Sequence, residues 1–515
     1  MSTNKILRSA SVIGFFTLLS RILGFIRDIV IAKFFGATLV AEAFFVAFRI
    51  PNLLRNLIGE GSVNAAIVPV LSDYAQKEKK KDFLIISNIV MFIGLLALSA
   101  VTLLGIIFAP LIVRLIAPGF MQDSYQLDLT IRLTRIMFPY LLLIGLTACS
   151  MGILHSVKSF FSSAVGPCLL NISLIASSIV AANVLDKPIF GLAIGVITGG
   201  ILQLAIQLPY LYKIGFRVKR VKTLFHPAVK LMRSLLIPRF FGAAVYQLNV
   251  LVDTICASLS FIVGSGAVAA IYYANRIIQF PLAVFGIALA QAVLPDLSRL
   301  ATQNTAELRN TILFCLKGII LVMVPATFAL AILAQPIIQI LFQRGSFDAY
   351  ATAITSSALL FYAVGLFAFA GIKIMVNSFH ALKDTKTPAQ IAALCLVINA
   401  SLNVILMWKF KVAGIALASS LSAGVNFILL FYLLNKRIAR LFTIDLMVFT
   451  ARVILFAGLM GIVVYLTWNN LFVNIHQAIR LLSVLATGLI SFTALCMLFG
   501  TQEKEFIASW ISRKK

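Results

Sequence analysis

Long apolar runs with almost no charge constrain this chain more than any other feature of its sequence. Residues 83–113, 312–335 and 448–468 each contain one charged residue or none. Each run is long enough to cross a hydrocarbon core of about 30 Å as a helix, and none alternates as a barrel strand does. Because a bilayer core leaves backbone polar groups without water, the sequence predicts an all-α polytopic membrane protein.

The charge balance leads to the same class. Only 12% of the 515 residues are charged, with 43 Lys+Arg against 17 Asp+Glu and a net charge of +26. A soluble domain carries about 25% charged residues. Binding of nucleic acid needs basic residues on one solvated face, whereas here most lie in short segments between apolar runs, so no nucleic-acid partner is expected.

Charge clusters and turn residues divide the chain into about fourteen predicted spans. An even number places both termini on one side of the membrane. The loops on that side carry more Lys and Arg than the opposite loops, which predicts that both termini are cytoplasmic.

The two halves of the chain resemble each other. The segment with Arg27, Pro69 and Ser72 has a counterpart with Asp253, Pro295 and Ser298, offset by about 220 residues. We therefore predict a six-helix lobe over 1–225, a second six-helix lobe over 226–444, and two further helices with a basic tail over 445–515. Parallel repeats of this kind enclose a cavity at mid-membrane that can open to either face, which is a transporter architecture.

Ionisable residues inside the spans are the first functional candidates, because each costs about 2.5–3.5 kcal/mol at the bilayer centre. They are concentrated in the first two spans and in the repeat-equivalent region: Arg21, Arg27, Asp28, Glu42, Arg49, Arg55, Glu60, Asp253 and Arg276. Arg21 and Arg27 can flank one broad helix face, and Arg276 would approach from the other lobe. Arginine binds phosphate through paired hydrogen bonds, so the predicted substrate is an anion that carries phosphate. The alternative is that these arginines extend to an interface or pair internally, Arg27 with Asp28 and Arg55 with Glu60.

A second polar group lies in later spans and comprises Asp253, Asn399, Asn403 and Ser419. Asn399 and Asn403 are four residues apart and face one way. Oxygen ligands around one carboxylate suit a hard cation such as Na⁺, which would couple transport to an ion gradient. A hydrogen-bonded contact between helices explains the same residues.

Catalytic chemistry finds little support. None of the four histidines has an acid at the spacing of a dyad or a metal site, and no GxxxxGK[ST] motif is present, so we expect a transporter driven by Na⁺ or the membrane potential. All six cysteines fall in apolar stretches, which predicts buried, small apolar side chains.

Several motifs resemble those of the MurJ (MviN) family of lipid II flippases, in the same order along the chain. They are SRILGFIRD at 20–28, AFFVAFRIPNLLR at 43–55, APGF at 117–120, YYANR at 272–276, QRGSF at 343–347 and DTKTP at 384–388. The resemblance implies membership of the multidrug/oligosaccharidyl-lipid/polysaccharide exporter superfamily. It also implies a basic cavity between the lobes and a groove for a polyprenyl tail on the last two helices.

The resemblance also assigns roles to residues. It implies that Arg21, Arg27 and Arg276 bind the pyrophosphate, together with Arg49, which stands where the family often has Lys. Gating would involve Arg55 and Glu60, with the neighbouring acids Glu42 and Asp28. Asp253, Asn399, Asn403 and Ser419 resemble the sodium site of some members, although Asn403 replaces an acid.

The expected function follows from this resemblance. The protein would move lipid II from the cytoplasmic to the periplasmic leaflet of the bacterial cytoplasmic (inner) membrane by alternating access, for cell wall synthesis. Its partners would be lipid II, membrane lipids and other cell wall synthesis proteins. The alternatives are an exporter of another lipid-linked oligosaccharide or of drugs and, least favoured, a membrane-embedded polyprenyl-phosphate transferase. The transferase would need an acid or histidine cluster around a metal-bound phosphate.

Overall fold

The computed structural model describes residues 3–59, 62–76, 80–219, 221, 223–224, 226–438, 441–471 and 475–512. Within these ranges the fold is helical and contains no strand, which confirms the predicted all-α class. The first ten helices are α1 (Thr3–Phe35), α2 (Leu39–Gly59), α3 (Ser62–Gln76), α4 (Lys80–Ile107), α5 (Ala109–Ile116), α6 (Ser124–Met137), α7 (Tyr140–Ser156), α8 (Phe161–Val184), α9 (Pro188–Ala205) and α10 (Leu208–Lys213).

The next ten helices are α11 (Pro227–Ser258), α12 (Ser260–Val263), α13 (Ala267–Pro281), α14 (Ala288–Gln303), α15 (Thr305–Ile332), α16 (Ala334–Phe342), α17 (Ala349–Val364), α18 (Leu366–Ala381), α19 (Lys386–Phe410) and α20 (Val412–Ile438). The last three are α21 (Ile444–Asn470), α22 (Gln477–Phe499) and α23 (Thr501–Ser512). A π-helical segment, Leu282–Ile287, follows Pro281 and joins α13 to α14.

Ten helical segments in the described part of the chain are long and apolar enough to cross a membrane, and α17 with α18, bent by 44°, makes eleven. The protein is therefore a multi-pass integral membrane protein. The finer prediction of fourteen spans stays a prediction.

The helix bounds repeat along the chain at a nearly constant offset. Helix α4 spans Lys80–Ile107 and α15 spans Thr305–Ile332, so both their starts and their ends lie 225 residues apart. The turns after α7 and α18 repeat as well: Lys158 and Lys383 have φ values of 62° and 61°, and each donates its N–H to a histidine carbonyl three residues earlier, at 2.9 Å. A non-glycine residue in this region is uncommon, so its recurrence in both turns is a specific local match.

The chain forms two compact units by packing. The first comprises Met1–Ser260 with Arg344–Phe347, and the second comprises Phe261–Gln343 with Asp348–Lys515. Helix α11 belongs to the first unit, because its Ala228 and Met232 share a core with Ile67, Phe83 and Ile153. The packing division therefore falls after α11, whereas the lobe boundary predicted from the repeat precedes it.

Glycines allow a close contact between two helices of the first unit. Gly191, Gly195 and Gly199 lie four residues apart on α9 and face α8. A Cβ at Gly195 would collide with the Ser177 side chain, and the Gly195 carbonyl accepts a hydrogen bond of 2.8 Å from Ser173 Oγ. Small residues at this spacing let membrane helices approach closely, because association there depends on van der Waals contact.

The segment Arg344–Phe347 packs against the end of α1 within the first unit. Ser346 donates its N–H to the Lys33 carbonyl at 2.9 Å, and Ser346 Oγ donates to the Phe34 carbonyl at 3.1 Å. Gly345 has a φ of 58°, and a Cβ there would collide with the Lys33 carbonyl oxygen. This contact requires glycine for both its backbone conformation and the space it leaves.

Gly345→Ala should therefore destabilise the protein. The left-handed conformation costs an alanine about 1–2 kcal/mol, and the collision with backbone adds to it. We expect the Tm of the detergent-solubilised protein to fall by a few degrees. Gly424→Ala is the matched control, because a Cβ there meets nothing within 4 Å. Equal Tm values for the two variants would show that the contact of Gly345 with α1 does not form.

A polar cluster closes the turn between α18 and α19. Thr387 Oγ1 donates to Asp384 Oδ2 at 2.6 Å, and Arg437 Nη1 lies 2.6 Å from the same oxygen. The hydrogen bonds from the side chain and the backbone of Thr387 are the main reason that the pKa of Asp384 falls from 3.8 to about 2, and Arg437 adds to them.

Asp384 should stabilise the folded protein in a pH-dependent way. Its folded pKa lies below its unfolded value, so the stabilisation is complete above about pH 4 and is lost as the pH falls toward 2. Unfolding measured from pH 2 to 7 should show a penalty for Asp384→Asn that is constant at the upper end and shrinks below pH 4. Asp296→Asn, which removes an exposed partner of Arg299, serves as control. A penalty that does not change with pH would contradict the pairing.

Candidate functional site

Arg27 and Asp28 of α1 form a buried ion pair inside the first unit. The two residues are 8% and 0% exposed, and Arg27 Nη2 lies 2.7 Å from Asp28 Oδ1. Arg27 Nη1 donates to Asn171 Oδ1 on α8 at 3.0 Å, and Asn171 Nδ2 donates to the Ser20 carbonyl at 2.9 Å. The internal pairing left open by the sequence is therefore the arrangement present here. The substrate role of Arg27 and the gating role of Asp28 stay predictions.

Arg21 has a different environment, although it lies only six residues from Arg27. Its side chain is exposed and lines a cavity of about 310 Å³ between α1, α7 and α8. The polar groups in the lining are Thr17, Ser20, Arg21, His155 and Ser163, and none of the described residues there is Asp or Glu. The cavity is therefore suited to an anion.

The charged residues of α2 lie along one helix. Glu42 is 2% exposed, and Gln126 Nε2 of α6 donates to Glu42 Oε2 at 3.4 Å. Arg49 and Arg55 are half-buried, and Arg55 Nε donates to Asn52 Oδ1 at 2.9 Å. Glu60 lies outside the described residues, so the predicted gating pair of Arg55 with Glu60 stays a prediction.

Arg276 is on α13 in the second unit. It is half-buried, its Nη2 donates to Tyr272 Oη at 3.4 Å, and its guanidinium carbon lies 5.7 Å from the centroid of the Tyr272 ring. A cation over an aromatic face is held in a fixed orientation while its other donors stay usable. Lys373, on the apolar helix α18 of the same unit, is a further intramembrane cation that our sequence analysis missed. The rule that ionisable residues in spans are functional candidates would have found it.

The residues of the predicted sodium site lie on three helices. Asn399 and Asn403 are 2% and 0% exposed on α19, which packs against α20, the helix that carries Ser419. Burial of both asparagines is consistent with their predicted common face, and one turn before Asn399 the Cys395 backbone carbonyl accepts a hydrogen bond of 2.7 Å from Ser422 Oγ of α20. Amide and hydroxyl oxygens suit a hard cation. Asp253 lies on α11 in the first unit. The ion site stays a prediction.

All six cysteines are buried and unpaired, which confirms their predicted role as small apolar side chains.

Loss of the Asp28 carboxylate should destabilise the first unit strongly. Asp28→Ala removes one partner of a buried ion pair, a change that costs about 3–5 kcal/mol in other proteins. Asp128→Ala is the control, because its pair with Arg132 is 57% and 63% exposed and such pairs contribute about 1 kcal/mol or less. Denaturant unfolding in detergent measures both variants. A small, equal effect would mean that the Arg27–Asp28 pair does not anchor α1.

Known proteins match this chain over most of its length. The family model for the lipid II flippase MurJ matches residues 31–483. The probable lipid II flippase MurJ of Haemophilus influenzae is 36% identical over 469 residues, covering 87% of this chain and 90% of that protein. The probable lipid II flippase MurJ of Vibrio cholerae is 33% identical over 522 residues, covering 98% of each.

Solved structures agree with the sequence relatives. A lipid II flippase MurJ in an inward closed conformation has a TM-score of 0.78 and 26% identity, covering 95% of this chain and 98% of that one. An inward-facing MATE multidrug resistance transporter of the MOP superfamily has a TM-score of 0.68 at 15% identity, covering 82% of this chain and 94% of that one, which is a likeness of fold alone. On the family match and on relatives above 30% identity over most of their length, the chain belongs to the MurJ family of lipid II flippases.

Proposed function

We propose that this protein is a lipid II flippase, which moves the undecaprenyl-pyrophosphate-linked peptidoglycan precursor from the cytoplasmic to the periplasmic leaflet by alternating access. The observation that carries the proposal is the match of residues 31–483 to the lipid II flippase MurJ family. Translocation changes no covalent bond, so the protein is a transporter and not an enzyme. The membrane would be the bacterial cytoplasmic membrane.

The geometry of the first unit supports an anionic substrate. Arg21 faces a cavity whose described lining holds hydroxyls, an imidazole and no carboxylate. An exporter of cationic drugs would need acids there to neutralise its cargo, so this alternative is disfavoured. An exporter of another lipid-linked oligosaccharide shares the pyrophosphate chemistry and differs only in the headgroup.

We further propose fourteen spans, arranged as two six-helix lobes, 1–225 and 226–444, followed by α21 and α22. Helices α1, α2 and α11 have 33, 21 and 32 residues, which is enough to add three spans to the eleven apolar segments. The 225-residue offset between α4 and α15 supports the two lobes. Both termini would then be cytoplasmic.

The last two long helices are proposed to hold the polyprenyl tail. Their surfaces carry exposed apolar side chains, among them Leu455, Ile462, Leu482 and Leu489, each more than half exposed. Such a surface is stable only against lipid or a lipid-like ligand. The headgroup would bind at the arginines while the tail stays on this surface.

Gating and energy coupling are proposals at the level of single residues. Arg55, Glu60, Glu42 and Asp28 would change partners as the lobes alternate, and Arg49 would join the substrate arginines. Na⁺ at Asp253, Asn399, Asn403 and Ser419, or the membrane potential, would supply the energy. Other cell wall synthesis proteins would deliver and remove the lipid.

The function is tested by lipid II translocation in proteoliposomes containing the purified protein. We expect Arg21→Ala to lower the rate at least tenfold with normal protein levels, because the cavity loses its only guanidinium among the described lining residues. Arg132→Ala is the control, since that exposed arginine pairs only with Asp128 among the described residues.

A cellular experiment complements the assay. Depletion of the protein should trap lipid II on the cytoplasmic face. Normal surface exposure of lipid II after depletion would exclude the flippase function.

A further inference from the structure

The cavity beside Arg21 has room for one small group and not for a whole glycopeptide headgroup. Its volume of about 310 Å³ lies at the lower end of the range of about 300–1,000 Å³ for ligand pockets. All the residues that line it belong to the first unit, so the cavity is complete within one compact body. The volume therefore suits a single small group of a ligand, and Arg21 favours a group that is anionic.

Two residues far from α1 in sequence bring donors to this cavity. His155 lies in the last turn of α7 and Ser163 in the first turn of α8, and His155 Nε2 and Ser163 Oγ are 2.7 Å apart. The His155 ring is held by the Phe160 ring, with centroids 4.9 Å apart. No sequence pattern connects either residue with Arg21.

Ser163 Oγ has two hydrogen-bonding partners, the Phe160 carbonyl and the His155 ring. Ser163 Oγ donates to the Phe160 carbonyl at 2.8 Å. When Ser163 donates to that carbonyl, its oxygen accepts from His155 in the tautomer with hydrogen on Nε2; in the other tautomer Ser163 donates to Nε2 instead, and His155 holds the hydroxyl in both. An anion in the cavity can take the hydroxyl hydrogen from the Phe160 carbonyl while His155 continues to hold the oxygen. His155 therefore positions Ser163.

The surroundings of Arg21 favour a phosphate with an attached apolar chain. Phe15, Leu18 and Ile22 form an exposed apolar stripe on α1, with 61%, 60% and 50% of each residue exposed. Arg21 lies on the same helix between this stripe and the face that Ser20 packs toward α8. A peptide carboxylate or a free anion has no apolar chain to pack against the stripe. A polyprenyl phosphate can place its phosphate at Arg21 and its chain on the stripe.

We propose that this cavity binds one phosphate of the polyprenyl pyrophosphate, with Arg21 and Ser163 as donors and His155 as the residue that positions Ser163. The inference rests on the proposed flippase function and adds His155 and Ser163 to its substrate site. The remaining headgroup lies outside the cavity, so recognition here depends on the lipid phosphate and not on the sugar or peptide.

Binding of undecaprenyl pyrophosphate to the purified full-length protein, measured by native mass spectrometry, tests the proposal. This probe lacks sugar and peptide, so it isolates the phosphate. Ser163→Ala should weaken binding about tenfold or more, as expected for loss of a hydrogen bond to a charged group. His155→Leu should have a similar effect, and His155→Gln should restore affinity, because the Gln amide also donates.

The control is His380→Leu. His380 ends α18 as His155 ends α7, it precedes the same type of turn, and it does not line the cavity. It should bind the probe as the wild type does. Tm measurements on every variant separate loss of binding from loss of folding.

The outcomes separate this inference from the proposed function. Wild-type protein that binds neither the probe nor lipid II would contradict the flippase function itself. If the wild type binds both and Ser163→Ala binds equally well, the cavity is not the phosphate site. If Ser163→Ala weakens phosphatidylglycerol as much as the probe, the occupant is a membrane phospholipid and the proposal is wrong.

Discussion

The packing of the first unit depends on neutralising a charge that cannot reach water. Arg27 and Asp28 are adjacent on α1 and buried together, so the attraction between them offsets part of the desolvation cost of burying both charges. The Asn171 side chain accepts a hydrogen bond from Arg27 through Oδ1 and donates one to the Ser20 carbonyl through Nδ2. These two bonds fix the rotation of α1 against α8. That rotation turns Arg21 away from the packed face and into the cavity. The buried pair therefore sets the orientation of the exposed arginine.

The internal repeat extends to single contacts, which explains two motifs that charge and hydropathy do not. Gly119 of the APGF motif has no room for a side chain, because a Cβ there would collide with the Ser258 carbonyl. Its N–H donates to Ser258 Oγ at 3.3 Å. Gly345 of the QRGSF motif approaches Lys33 in the same way, because a Cβ there would collide with the Lys33 carbonyl oxygen, to which Ser346 donates its N–H at 2.9 Å. Lys33 and Ser258 are 225 residues apart, at the ends of α1 and α11. All four segments lie in the first unit, so the loop of each repeat contacts the first helix of the other.

Periodicity and composition were enough to predict the helices and the burial of the cysteines, because each depends on properties of one segment. The same information could not predict that Arg21 is exposed to a cavity while Arg27 is buried in an ion pair. A spacing of six residues gives an angle around a helix, whereas the environment of Arg27 depends on Asn171, 144 residues away. His155 and Ser163 likewise reach the Arg21 cavity only through tertiary packing, since no local sequence pattern places them beside α1.

The sign of the substrate charge also bears on energy coupling. A pyrophosphate that moves from the cytoplasmic to the periplasmic leaflet carries negative charge outward, and a membrane potential that is negative inside favours this movement by about 2.3 kcal/mol per charge per 100 mV. A cavity with enough cations to neutralise the anion fully would cancel this charge, and the potential would then do no work on the complex. The described lining of the Arg21 cavity has one guanidinium and no carboxylate, so a pyrophosphate placed there would keep part of its negative charge.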